Sequence, residues 1–433
     1  MGAALLLVAS LFTLDPVGSV DLQAEVRSGT RFRMLDQDPR PNEPIPVDAS
    51  RRVAELGVAP RLALANDARL RLYLAYTPSV NVPFEAAPPG TNQGSAPSPL
   101  DRTSFLNNAE LRAERDWGFW SMRAGASATL GRLDPLAGGP PAVAVTTTGR
   151  IPYQAWSLNA GVTAIPWQRG TLTVDGHLSQ GGGDGSLAER VLPVQQELRI
   201  ASALDHLLTR RDTFGATLTF VGARLDRVDP AVPAGGERID AATLQGGPHW
   251  LRVLSRQFSL RLAGGAAAAY EVSSANQWSR IGPWGLAALA YQPGGLRPSL
   301  TLSVGLEPTI DRLTGSLSYR GLVEARSEWV PTRDWRLEAS ANAGVLEPWL
   351  GFDGQVATST WIGGGSVYAG RELWRNVLIG ASVAGIWQDS GRQDLSSFRE
   401  VVAALELRAI LQGPAADTTR QPGGAGAPAG GRR

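Results

Sequence analysis

From Ser316 to Val345 the chain reads SLSYRGLVEARSEWVPTRDWRLEASANAGV, and its polar and apolar residues alternate with a period of two. Leu317, Tyr319, Gly321, Val323, Ala325 and Trp329 share one parity, while Ser318, Arg320, Glu324, Arg326 and Glu328 share the other. A helix repeats near 3.6 residues, so only an extended strand places all of those Arg and Glu on one face. After the turn Pro331-Thr-Arg-Asp334 the alternation resumes, with Trp335, Leu337, Ala339, Ala341, Ala343 and Val345 against Arg336, Glu338, Ser340 and Asn342. The pattern predicts a hairpin whose arms meet the requirement of about 9 to 11 tilted residues for a bilayer-crossing strand.

The same unit recurs along the chain. Val20, Leu22, Ala24 and Val26 alternate with Asp21, Gln23, Glu25 and Arg27, which predicts a first strand. Residues 34–57, rich in Pro and charge, read as a loop, because Pro removes ladder donors. Arg61–Ala65 and Arg69–Tyr76 form the next hairpin around Asn66-Asp67, and Pro78–Thr103 reads as the longest loop. Glu110, Arg112 and Glu114 then oppose Ala109, Leu111 and Ala113, turning at Arg115-Asp-Trp117 into Trp120, Met122, Ala124 and Ala126, followed by a loop over 131–150. Trp156–Val162 turns at Pro166–Gly170 into Leu172–Leu178. Further arms are predicted around 191–206, 213–225, 240–253, 258–270, 282–292, 299–307, 355–370, 377–387 and 397–411.

Short connections therefore fall near residues 66, 116, 168, 210, 256, 295, 333 and 373, with longer Pro-, Gly- and Asp-rich connections between them. Alternating short turns and long loops are the signature of an outer-membrane barrel, with short turns on the periplasmic rim. Eight short-turn hairpins plus one arm at each end give an all-β, transmembrane, antiparallel up-and-down β-barrel of about 18 strands, with both termini periplasmic; 16 strands also fit the spacing. Trp117, Trp167, Trp329, Trp335 and Trp374 fall at short turns, and Trp278, Trp284, Trp349 and Trp387 near long loops. Two aromatic belts at the membrane interfaces are what a bilayer selects. A soluble two-layer sandwich also alternates, but neither the regular connections nor the two Trp belts follow from it.

Composition narrows the function classes. The chain has 433 residues, with 41 Lys+Arg against 40 Asp+Glu, so it lacks the basic excess of a nucleic-acid-binding surface. It has no Cys, which excludes thiolate metal sites, Cys nucleophiles and disulfides. Beyond the N-terminus no apolar run is long enough for a membrane helix. Residues 1–19, with the apolar run AALLLVASLF, are signal-peptide-like, and residues 20–411 comprise the barrel. Residues 412–433, rich in Gly, Pro and Ala, are expected to be a disordered periplasmic tail.

The polar parity gives the candidate lumen lining: Arg69, Arg71, Glu110, Arg112, Glu114, Arg123, Asp175, His177, Glu197, Arg199, Arg261, Arg320, Glu324, Arg326, Glu328, Arg336, Glu338, Glu406 and Arg408. A charge on the lipid face at the midplane costs about 2–4 kcal/mol, so charges on every second residue belong on the inside. Mixed Arg and Glu rows can orient a polar solute; alternatively they pair with each other and line the wall. Catalysis has weak support. The histidines are His177, His206 and His249, none in a zinc-type spacing, and no GxSxG elbow or Walker loop occurs. His177 beside Asp175 is the best acid/base pair, Gly181–Gly185 lacks the further ligands of a Ca2+ loop, and no cofactor or metal is called for.

On hairpin spacing and Trp belts the chain resembles a Gram-negative outer-membrane β-barrel of the porin or exporter kind, over about Val20 to Leu411. The resemblance implies outer-membrane lipid and lipopolysaccharide as surroundings, and assembly by the barrel-assembly machinery. Family members often end the last strand on an aromatic residue read by that machinery, whereas this one ends Ala409-Ile-Leu411 before a polar tail. The 18-strand count with a charged lumen is also similar to barrels that export exopolysaccharide. The expected function is a channel for hydrophilic or charged solutes, or a secreted polysaccharide, narrowed by the loops 34–57 and 78–103. No plug-like domain precedes the first strand, so energised uptake is not expected. A structural or adhesive barrel, or a lipid hydrolase using His177, are the other readings.

Overall fold

The computed structural model describes residues 20–37, 50–67, 70–85, 103–133, 151–184, 189, 193–228, 236–272, 277–294, 296–310, 317–348, 359–374, 376–391 and 397–412. The strands are β1 (Val20–Gln37), β2 (Ser50–Asp67), β3 (Leu70–Glu85), β4 (Ser104–Asp116), β5 (Trp120–Leu133), β6 (Ile151–Trp167), β7 (Gly170–Gly183), β8 (Val194–Leu207) and β9 (Asp212–Val228). They continue as β10 (Gly236–Val253), β11 (Phe258–Val272), β12 (Gln277–Tyr291), β13 (Ser299–Ile310), β14 (Leu317–Trp329), β15 (Trp335–Pro348), β16 (Thr360–Trp374), β17 (Val377–Ser390) and β18 (Phe398–Gln412).

Each strand pairs antiparallel with its sequence neighbours, and β18 returns to pair with β1 from Gln23↔Gln412 to Gln37↔Phe398. The result is a closed 18-stranded up-and-down barrel. Closure matters physically because a bilayer offers no water to an open strand edge, so every ladder must find its partner within the wall.

The strands run further than the sequence pattern predicted. Pairs such as Leu35↔Arg51 and Glu55↔Pro83 carry β1, β2 and β3 into residues assigned to the loops 34–57 and 78–103. β5 likewise reaches Leu133, and β16 runs through Arg371–Trp374, with a register shift between Glu372 and Trp374, into residues assigned to a turn. Proline does not end those strands. Pro60, Pro78, Pro152, Pro248, Pro283 and Pro308 all lie inside strands, where flanking pairs hold the ladder around each missing N–H. Residues 1–19, Arg69, Gly185, Trp349 and the tail beyond Gln412 lie outside the described residues.

The barrel has no single hydrophobic core. Its large apolar side chains point outward: Leu62, Leu74, Leu158, Ile200, Leu218, Val304, Val323, Val383 and Leu405 are all exposed. The inner parity carries mostly small and polar residues, with Leu225, Ile239, Ile362 and Ile386 as buried apolar exceptions. Two short turns use glycine at positive φ: Gly118 (φ 87°) closes β4–β5 and Gly294 (φ 72°) follows β12.

One departure from a regular wall bears on the lumen. β12 starts at Gln277 and β13 ends at Ile310, yet their pairing stops at Gly285↔Leu306. Beyond that point the described ends of β13 and β14 lean across the inner face. Leu317 is buried against Ala241, Ala267 and Ala269 of β10 and β11, with Ile310, Tyr319 and Trp284 packed around them. The Leu317 backbone N–H donates to Glu271 Oε2 at 3.1 Å. The run Ala263-Gly-Gly-Ala-Ala-Ala-Ala269 supplies the room, since larger side chains on the inner face of β11 would exclude the hairpin.

Candidate functional site: the inner face of the barrel

Strand pairing sets which side chains meet across the inner wall. Arg71 faces Glu114 in register and lies 3.9 Å from it. Arg112 pairs with Glu110 on its own strand, and Arg123 of β5 reaches over Gly161 of β6 to Asp175 of β7, with Nη2 at 2.5 Å and Nε at 3.1 Å. That crossing needs glycine: a Cβ at Gly161 would meet Asp175 Oδ1 at 2.2 Å and Arg123 Nε at 2.6 Å. On the far side of the seam Arg336 lies 3.3 Å from Glu328 and 2.6 Å from Glu338, and Arg320 pairs with Glu307.

At the seam itself Glu25 is 1% exposed and is approached by Arg27 at 2.5 Å, Arg408 at 2.6 Å and Arg61 at 3.9 Å. Arg61 also donates to the Tyr73 hydroxyl, and Arg112 lies 5.9 Å from the same ring. A charged belt therefore runs from β7 through the seam to β14, with acidic and basic groups interleaved. Most of these pairs are partly exposed, so each contributes little stability alone.

Other sequence candidates stand apart from the belt. Arg199, Arg261, Glu324 and Arg326 are exposed and make no ion pair among the described residues. His177 faces Asn159 and Arg199 in register, Glu197 faces Ser179 and Ala223, and Glu406 faces Gly380 and Gly29. The Asp175 carboxylate accepts from Arg123, and no hydrogen bond joins it to His177 among the described residues. No cluster of three or more His, Cys, Asp or Glu suited to a metal ion occurs among the described residues.

Several inner-face residues escaped the sequence reading. Glu25, Arg27 and Arg61 lay on predicted strands, but their convergence depends on closure between the two ends of the chain, which periodicity does not reveal. Glu307, Tyr73 and Tyr368 were hidden by strand boundaries or by aromatic character. His249 is 6% exposed and bonds through Nε2 to Asp205 at 2.5 Å, passing over Gly215, two strands distant in the wall.

The outer face carries the aromatics. At the short-turn rim Trp117 stacks on Trp120 at 4.0 Å, the Trp167 indole N–H donates to His206 Nδ1 at 3.0 Å, and that of Trp329 donates to the Leu296 carbonyl at 2.8 Å. Trp335 lies under Arg371, and Trp374 is exposed. At the opposite rim Trp387 covers Gly363, and Trp361 and Trp156 are exposed on the same face. Trp284 departs from the expected belt. β12 alternates so that Pro283 and Gly285 face out and Trp284 faces in, where its indole N–H donates to the Gly246 carbonyl at 3.0 Å. Proximity to a long loop misplaced it; parity would have placed it. An apolar outer belt bounded by aromatic rims, around a closed wall with a charged interior, decides the architecture.

The fold is that of an outer-membrane β-barrel. No family model and no curated protein matches the chain. Among solved structures, Pseudomonas aeruginosa OccK9 (OpdG) aligns with 11% identity over 91% of this chain and 99% of its own, with a TM-score of 0.45. Pseudomonas aeruginosa OpdK, solved with vanillate, aligns with 8% identity over 90% of this chain and 99% of its own, with a TM-score of 0.43. The FrpB iron transporter from Neisseria meningitidis aligns with 8% identity over 88% of this chain and 66% of its own, with a TM-score of 0.47.

Proposed function

We propose that this barrel is a passive channel of the Gram-negative outer membrane, oriented with both termini in the periplasm, that passes small hydrophilic or charged solutes. The observation that carries the reading is the charged belt from Asp175 through Glu25 to Glu338 on the inner face, together with the exposed Arg199, Arg261 and Arg326. Ionised side chains exposed inside a membrane protein require water beside them. An 18-stranded wall is wide enough to hold that water as a continuous column. Interleaved Arg and Glu offer both signs of charge to a passing solute, so orientation by paired hydrogen bonds is favoured over bulk attraction of one ion type.

Conductance of the purified protein in planar bilayers tests the reading. Stepwise, ohmic openings are expected. Absence of conductance from the full chain and from a variant lacking residues 38–49 and 86–102 would remove it.

Passage of a secreted polysaccharide is a narrower form of the same proposal. Tyr73 and Tyr368 on the inner parity, among charged groups, supply the aromatic and hydrogen-bonding surface a sugar chain uses. Liposome swelling with oligosaccharides of increasing length separates the two forms: entry of long chains supports export, and a cut-off at small sugars restricts the pore to small solutes.

A further inference from the structure

The outer wall is recessed across β9–β13, more deeply than in the smaller recess across β13–β17. Register aligns Gly264 with Gly285 and Gly285 with Leu306, and Pro248 lies beside Gly264 between the Gly246↔Ala266 and His249↔Ala263 pairs. The rung nearer the short turns carries Phe214 and Trp250. Small residues on three adjacent strands, walled by Phe214 and Trp250 on one side and Leu306 on the other, leave an open apolar trench of about 650 Å³ in the lipid-facing surface.

The same strands end in basic turns. Arg210 and Arg211 sit in the β8–β9 turn, Arg256 in the β10–β11 turn, and Arg252 two residues beyond Trp250 on the outer parity of β10. All four are exposed, and Arg252 lies 5.7 Å from the Trp250 ring. The acid among them is Asp212, which accepts hydrogen bonds from Thr209 Oγ1 at 2.8 Å and Trp250 Nε1 at 3.2 Å and lies 3.8 Å from Arg252. Four guanidinium groups against one engaged carboxylate leave a net positive rim directly below an apolar trench.

We propose that β9–β13 form a binding site for an anionic phospholipid of the leaflet at the short-turn rim. One acyl chain occupies the trench, the glycerol region packs beside Trp250, and the phosphate is held by Arg210, Arg211, Arg252 and Arg256. The arrangement satisfies both ends of one molecule: apolar surface at chain depth, an aromatic ring at the interface and guanidinium donors at headgroup height. A zwitterionic lipid fills the trench equally well but gains less from the rim, so the site discriminates by headgroup charge. This inference depends on the membrane orientation of the wall and is independent of whether the lumen conducts.

Native mass spectrometry of the full chain from detergent micelles, with dioleoyl phosphatidylglycerol and dioleoyl phosphatidylcholine as probes, tests it. One phosphatidylglycerol is expected to remain bound per barrel under conditions that strip phosphatidylcholine. The combined Arg210→Gln, Arg211→Gln, Arg252→Gln and Arg256→Gln variant is expected to weaken that retention by about tenfold. Gly285→Leu is a second probe, because a Cβ there meets only the Ala263 carbonyl oxygen at 3.6 Å, an ordinary contact, and the side chain fills the trench without straining the wall. It is expected to weaken both lipids. Equal retention of the two lipids, unchanged retention in the arginine variant, or dimers that form through this face and exclude lipid would each overturn the proposal.

Discussion

Arg408 Nη2 donates to Glu25 Oε2 at 3.0 Å, joining two residues 383 positions apart in the chain across the seam where β18 meets β1. Arg408 Nε lies 2.6 Å from Oε1, close enough for attraction but without hydrogen-bond alignment. Removing the buried carboxylate leaves Arg27, Arg61 and Arg408 facing one another without a counter-charge. Glu25→Gln is therefore expected to destabilise the barrel by about 1–3 kcal/mol, the lower end reflecting how wet the arginines are. The heat-induced gel-mobility shift of the folded barrel measures it, and a double-mutant cycle with Arg408→Gln is expected to show stronger coupling than one with Arg61→Gln, whose guanidinium stands 3.9 Å away. Equal couplings would refute the seam pairing.

Why this cluster could not be read from the sequence, while most of the wall could, has a physical basis. A two-residue period assigns each side chain to a face, so Arg320, Glu324, Arg326 and Glu328 emerge together from the alternation alone, as do the paired Glu110, Arg112 and Glu114. Periodicity does not report register, and the span of Arg123 across Gly161 to Asp175 is a fact of register. Closure is further removed still, since the meeting of Glu25 and Arg408 depends on the offsets of all 18 strands. The leaning β13–β14 hairpin was not legible for another reason: the β12–β13 ladder ends early, and no local residue pattern marks where a ladder ends.

Arg199, Arg261 and Arg326 are exposed inner-face cations without an ion-pair partner among the described residues, so each adds uncompensated positive charge to the lumen's field. Replacing all three by Gln is expected to lower the anion-to-cation permeability ratio by about twofold or more at low salt, with the difference shrinking as ionic strength rises. Reversal potentials in a KCl gradient report it. Neutralising both partners of a formed pair, as in Arg123→Gln with Asp175→Asn, is expected to leave the ratio nearly unchanged. A triple variant with wild-type selectivity would show that solute does not sense these groups.

The lean of the β13–β14 hairpin rests on Leu317 in its small-residue seat and on the Glu271 carboxylate that accepts its N–H. Leu317→Ala combined with Glu271→Ala is expected to remove about 2–4 kcal/mol of local packing, by loss of buried apolar contacts, together with one anchoring hydrogen bond. The hairpin then has less reason to lie across the lumen. Single-channel conductance is expected to rise while the gel-mobility shift stays near that of the unaltered barrel. A fall in conductance, or none of the variant reaching the folded form, would place the hairpin among the elements that hold the wall together.

His249 reaches Asp205 by passing directly over Gly215, and the wall tolerates that only because position 215 has no side chain. A Cβ there would stand 2.3 Å from the Leu204 carbonyl oxygen and 2.5 Å from His249 Cε1. The imidazole can rotate away, but the carbonyl belongs to the β8–β9 ladder and moves only with its strand. Gly215→Ala is thus expected to destabilise the barrel by about 1–3 kcal/mol through overpacking against backbone. His249→Ala removes the ring without disturbing the ladder, so placing it in the Gly215→Ala background is expected to recover only the part of the loss due to the imidazole. Full recovery would mean that the strand yields, and that the ring alone had required glycine.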